Sequence, residues 1–151
     1  MPVLELTADF GYVVAVALAF YLQQAIIFVI PIGITRKATG IQPPTLYPRD
    51  SQIKELKLSD SKVDRYMRVQ RVHQNSLEFL AIFLPMLLVA GLHAPREAAI
   101  AGAVTWVGRL FTGVGYWFSA KGRLMGGWFH LGEFYVLYLV GQFAYTLIRS
   151  A

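Results

Sequence analysis

Arg71, Asn75 and Glu78 stand at i, i+4 and i+7 within RVQRVHQNSLEFLAIFLPMLLVAGL, residues 68–92. On an α-helix these three share one face. Further along, Arg109, Thr112 and Tyr116 stand at i, i+3 and i+7, and Arg123 follows in WFSAKGRL. A guanidinium grips a carboxylate with two parallel hydrogen bonds. A carboxylate accepts from an ammonium group, and an asparagine both donates and accepts. Together these groups suit a small, charged, carboxylate-bearing ligand. Both polar lines are embedded in apolar sequence, which would give a lipophilic second ligand its route of approach. A bare carboxylate inside a bilayer is costly. Glu78 is therefore expected to pair with Arg109, the one arginine in the middle of VTWVGRLFTGVGYWF. The same residues could instead be only interhelical glue, because buried ion pairs often fix geometry without adding net stability.

The surrounding elements must be helices in a membrane. Hydrophobic residues make up 56% of the 151 and the mean hydropathy is +0.48, too apolar for an ordinary soluble domain. The pattern predicts one all-α domain over residues 1–151, an integral membrane four-helix bundle. Its spans are expected at about residues 10–34, 64–92, 96–118 and 127–148. The apolar runs are continuous rather than alternating, which favours helices over barrel strands. The N-terminal run has no basic residue ahead of it and is too long for a signal-peptide core, so it is expected to stay as a span. Gln23 and Gln24 should make interhelical hydrogen bonds, and Gly108, Gly113 and Gly115 should let helices approach closely. Ser61 or Asp60 is the expected cap of the second span.

Charge sets the expected orientation. Nine Lys and Arg residues lie between Arg36 and Arg71 and two more, Lys121 and Arg123, between spans three and four; the opposite side has only Arg96 and Arg149. The loop over 35–63 should therefore be cytosolic, with both termini facing away. Its TGIQPPTLYP stretch should be extended, and KELKLSDSKVD either a short surface helix or disordered. This partition accounts for the basic residues without nucleic-acid binding. The chain has no cysteine, so there is no disulfide, no thiolate metal site and no cysteine nucleophile; any thiol must arrive with a substrate. His130 and Glu133 have a spacing that some metal sites use, but no further ligand is in reach, so no metal is expected. His93 should be solvated in the turn after span two.

The residues 68–92 resemble the signature of the MAPEG family, membrane-associated proteins in eicosanoid and glutathione metabolism. Arg71, His73, Asn75, Leu77 and Glu78 give an RxHxNxLE pattern close to that of the family's third type of microsomal glutathione transferase. The likeness continues in GLHAPREAAIAGAVTWVGRLFTGVGYW and, more loosely, in PPTLYPRD. It implies a homotrimer of four-helix bundles, with glutathione bound between subunits near the cytosolic side. Arg71, Asn75, Glu78 and Tyr116 match family positions that hold glutathione, and Arg109 is expected in the same pocket. His73 and Arg36 match positions that reach the ligand from the adjoining subunit. Arg123 matches the arginine that faces the glutathione sulfur in leukotriene-forming members. Thr112 departs from the pattern, since relatives usually carry Tyr or His there.

The resemblance implies a glutathione transferase or peroxidase that takes glutathione as co-substrate, without a metal. It would conjugate glutathione to lipophilic electrophiles or reduce lipid hydroperoxides, in the endoplasmic reticulum or the mitochondrial outer membrane. Arg123 would be catalytic, favouring the thiolate by its charge. The competing reading is a non-catalytic lipid-binding or scaffold protein of the same build. A channel fits less well, because the polar lines gather at one end of the bundle.

Overall fold

The computed structural model describes residues 6–150; the outermost residues of the expected domain lie outside the described residues. Four helical rods are long and apolar enough to cross a membrane: Phe10–Thr39, Asp60–His93, Pro95–Phe118 and Phe129–Arg149. The protein is an all-helical, multi-pass membrane protein.

The first rod is composite. Helix α1 (Phe10–Leu22) passes into a π-helical turn at Gln23–Phe28 and then into α2 (Ile30–Thr39). Pro31 falls in the first turn of α2, where its missing N–H removes no intrahelical bond. The rod ends at Gly40, whose φ of 76° lets its N–H turn back to the Arg36 carbonyl at 2.8 Å. The sequence suggested an end near residue 34. The structure adds a further turn because Thr35 and Thr39 return their hydroxyls to backbone carbonyls one turn earlier, at 2.8 Å each.

The loop that follows is folded back on the bundle. A short helix, α3 (Asp50–Glu55), begins four residues before the segment in which the sequence suggested one and overlaps its first two residues. The Thr45 carbonyl accepts from Arg36 Nη2 and from the Tyr66 hydroxyl, each at 2.8 Å, and Gln70 Nε2 donates to that hydroxyl at 3.0 Å. Tyr66 and Gln70 are fully buried, so this network pins the loop to the second rod.

Helix α4 (Asp60–His93) has 34 residues. At about 1.5 Å per residue it is about 51 Å long, well beyond a ~30 Å hydrocarbon core. It begins four residues before the expected Asp64, and its N-cap is Ser59 rather than Ser61 or Asp60. The excess length carries its first turns out of the apolar layer and leaves Arg71, Asn75 and Glu78 near the boundary. Helix α5 (Pro95–Phe118) follows after Ala94 alone. His93, expected to be solvated, is half-buried and stacks on Phe143 at 5.4 Å. A 3-10 segment, Lys121–Gly126, leads to α6 (Phe129–Arg149), which starts two residues later than expected.

The core runs along the middle of the bundle. Val13, Phe20, Leu80, Phe83, Leu87, Ala98, Ala101, Val136 and Leu139 form one buried cluster drawn from all four rods. Phe20 meets Phe83 edge-on at 5.3 Å, and Phe79 stacks on Phe83 at 4.9 Å. The outer faces carry exposed Ile82, Ile100, Leu131, Phe134 and Ile148, as lipid contact requires. Gln23 and Gln24 are buried, yet Gln23 Oε1 and both polar atoms of Gln24 have no partner among the described residues. The expected interhelical hydrogen bonds are not formed by these atoms, which lie in the π-helical turn.

Candidate functional site

The two polar lines meet. Arg71, Asn75, Arg109, Thr112, Tyr116 and Arg123, with Phe28, Val72 and Gly113, line a pocket of about 180 Å³. It sits between α4 and α5 at the basic end of the bundle. Each helix supplies its residues from one face, as the i, i+4 and i, i+3, i+7 spacings require.

Arg109 anchors the pocket. It is 7% exposed, and Phe79 and Phe129 lie under its guanidinium at 4.4 and 5.1 Å. Its Nη1 donates to Asn75 Oδ1 at 3.0 Å and its Nη2 to the Asn75 carbonyl at 3.1 Å. The expected Glu78–Arg109 pair is not formed. Glu78 instead faces Arg71, with Nη1 and Oε1 3.6 Å apart, and both side chains are half or more exposed. The reason is angular. At about 100° per residue, Glu78 falls about 20° from Arg71 around α4 and Asn75 about 40° to the other side. Asn75 is thus on the side that meets α5, while Glu78 stays with Arg71 on the open side. Glu133 of α6 holds His130 Nδ1 at 2.7 Å, so this histidine–glutamate pair is occupied with itself. Among the described residues no cluster of three or more potential metal ligands converges.

Glycines bring Arg123 to the pocket. A Cβ on Gly115 would overlap the Gly122 carbonyl oxygen, one on Gly122 the Gly115 carbonyl, and one on Gly126 the Gly108 carbonyl. The segment Lys121–Gly126 therefore lies directly on the backbone of α5, antiparallel to it, and carries Arg123 back past Tyr116. A Cβ on Gly108 would come within 2.6 Å of Phe129 Cβ, so the same stripe seats the start of α6. The sequence singled out Gly108, Gly113 and Gly115 for close packing but not their counterparts Gly122 and Gly126; the spacing in KGRLMGG was the available signal. Gly126→Ala is expected to cost about 1–3 kcal/mol through overpacking, read as a lowered melting temperature in detergent. An unchanged melting temperature would mean the segment is not seated as described.

Phe28 is the wall residue that the sequence did not single out. Its ring occupies the space a Cβ on Gly113 would need, at 2.6 Å from Cζ, and meets Trp117 edge-on at 6.0 Å. The π turn places it there, and such turns recur at functional sites. Thr112 lines the pocket with a buried hydroxyl that has no partner among the described residues.

Arg36, His73 and Glu78 do not line this pocket. Arg36 is committed to the Ile41 and Thr45 carbonyls and lies over the Tyr66 ring. His73 is half-buried and, two residues after Arg71, points about 160° away from it around α4.

Four membrane-capable helices and an arginine-lined pocket at their basic end agree with the sequence comparisons. The chain is 33% identical over 129 residues to an uncharacterized protein, sll1147, of Synechocystis sp., covering 85% of this chain and 80% of that one. The model of the MAPEG family matches residues 12–145. With nearly the whole chain matched, both polar helix faces included, this protein belongs to the MAPEG family.

Proposed function

We propose that the protein binds glutathione in the Arg71–Arg123 pocket and uses its thiolate on lipophilic substrates, as a membrane glutathione transferase or peroxidase. The single observation that carries this reading is the convergence of Arg71, Asn75, Arg109, Tyr116 and Arg123 on one pocket. Three guanidiniums there match a tripeptide with two carboxylates and a developing thiolate. Arg71 takes a carboxylate, and Glu78 beside it accepts from the glutathione ammonium. Asn75, held by Arg109, presents its remaining polar atoms to the peptide backbone, and Tyr116 adds a hydroxyl.

Arg123 stands at the sulfur. A free thiol titrates near 8.5, and a nearby guanidinium lowers that value by stabilising the anion. Arginine stays protonated and so acts by charge rather than as a base. With an epoxide, the new S–C bond forms as the C–O bond breaks, and the alkoxide takes a proton from water. With a hydroperoxide, sulfur takes the terminal oxygen, an alkoxide leaves, and a second glutathione releases water and the disulfide. His73 and Arg36 complete the pocket of a neighbouring subunit in a homotrimer. His73 points away from its own pocket, as that role needs, whereas Arg36 must release its loop carbonyls to take part.

The test is calorimetric titration of the detergent-solubilised protein with glutathione, with oxidised glutathione as control, followed by turnover with a hydroperoxide and an electrophilic lipid. One site per subunit with turnover supports the reading. No binding at millimolar glutathione sinks it and favours a lipid-binding scaffold. The observation on that side is Thr112, which leaves an unpartnered hydroxyl where an aromatic wall or a stronger donor would otherwise hold the ligand.

A further inference from the structure

A second cleft opens on the other side of the Phe28–Trp117 contact. It lies between α2, α4 and α5, has a volume of about 400 Å³, and is lined by Pro31, Ile34, Arg65, Arg68, Trp117 and Phe118 among others. One part is cationic and the other apolar. Phe118 is 80% and Ile34 59% exposed, so the apolar part is open along the helices.

Two donors in the cleft residues are left over. Arg68 Nε and Trp117 Nε1 are buried and have no partner among the described residues. Buried donors are normally satisfied, and one left unmade is costly. Asp64 engages Arg68 through Nη1 only, so that carboxylate does not use the Nε edge. Arg65 is exposed beside it. A tetrahedral oxyanion meets this arrangement well, because a guanidinium edge presents two parallel N–H groups.

The depth identifies the anion. Arg65 and Arg68 lie on the part of α4 that its length carries out of the hydrocarbon, while Ile34, Pro31 and Phe118 continue toward it. An indole at that level is at home in the headgroup layer. We propose that this cleft seats an anionic phospholipid. Its phosphate lies on Arg65, the Nε edge of Arg68 and the Trp117 indole, and its acyl chains lie along Ile34 and Phe118. No part of this depends on the glutathione pocket being active.

The test uses the full-length protein in vesicles with Trp106 and Trp128 changed to Phe, leaving Trp117 as the reporter. Quenching by brominated phosphatidylglycerol is compared with brominated phosphatidylcholine. Preference for the anionic lipid should be about five-fold per arginine in the cleft. Arg65→Gln and Arg68→Gln should each remove about that factor. Arg68→Lys should recover only part of the loss, because it lacks the Nε edge. Lys54→Gln, which removes the same charge from the same end of the molecule outside the cleft, should leave the preference intact. Equal quenching by the two lipids in the unsubstituted cleft overturns the proposal. So does an equal loss in Lys54→Gln, which would show only a basic surface. Displacement of the brominated lipid by inorganic phosphate would also overturn it, showing a free-anion site.

Discussion

Arg123→Ala is expected to lower kcat for glutathione transfer roughly a hundred-fold while leaving the bundle assembled. Removing one preorganised charge from a developing anion costs about 2.7 kcal/mol on the barrier. Arg123 is exposed and belongs to a short 3-10 segment rather than the buried cluster, so its loss opens no cavity. The pH profile separates an electrostatic role from a positional one. Without the guanidinium the bound thiol titrates higher, nearer its free value of about 8.5. The sign follows: the variant's activity should rise steeply between neutral and alkaline pH, while the unsubstituted protein, already thiolate, should change little. Arg123→Lys keeps the charge and loses the planar fork, so it should fall between the two. A kcat that is unchanged in Arg123→Ala sinks the assignment. A loss that is equal at every pH would make Arg123 a positioning residue instead.

The number of rods and the identity of the two polar faces were legible in the sequence because periodicity and hydropathy report them directly. Arg71, Asn75, Arg109, Tyr116 and Arg123 were all found this way or by family resemblance, and the structure brings them to one pocket. Pairing was less legible. Helical spacing places Asn75 and Glu78 on the same broad face, but it does not fix how α4 is rotated against α5. A few tens of degrees decide which of them meets Arg109 and which meets Arg71. The choice of Asn75 also follows from chemistry, since its side-chain and backbone oxygens together span the guanidinium fork. The π turn was not legible, because QQAIIF reads as ordinary apolar helix. That turn determines both the placement of Phe28 and the burial of Gln23 and Gln24. Helix ends at His93, Pro95, Phe118 and Arg149 were legible to within a residue from the apolar runs, whereas the end at Thr39 was not; Ser59 carries no side-chain cap bond, so the start of α4 had no local signal.

Asn75→Leu should be among the most damaging single changes for stability. Arg109 is buried among Phe79, Phe129 and the helix backbones, and Asn75 supplies its only side-chain hydrogen bond among the described residues. Leucine would leave a desolvated guanidinium with one backbone carbonyl and two aromatic faces. Stranding a buried charge in this way costs about 3 kcal/mol. The reverse deletion is not equivalent. Arg109→Met removes the charge itself and leaves a neutral amide that has access to water on its exposed side, so it should cost about 1 kcal/mol. The double variant Asn75→Leu/Arg109→Met replaces both partners by apolar groups of similar length, and it should be more stable than Asn75→Leu alone. Reversible unfolding in mixed detergent micelles measures all three. If the double variant is instead less stable than Asn75→Leu, the arginine stabilises the bundle through its aromatic and carbonyl contacts even without the amide. The α4–α5 junction would then be held by stacking more than by the hydrogen-bonded pair. If the asymmetry holds, the cost of Asn75→Leu lies in stranding the buried Arg109 charge, and the hydrogen-bonded pair rather than stacking holds the α4–α5 junction.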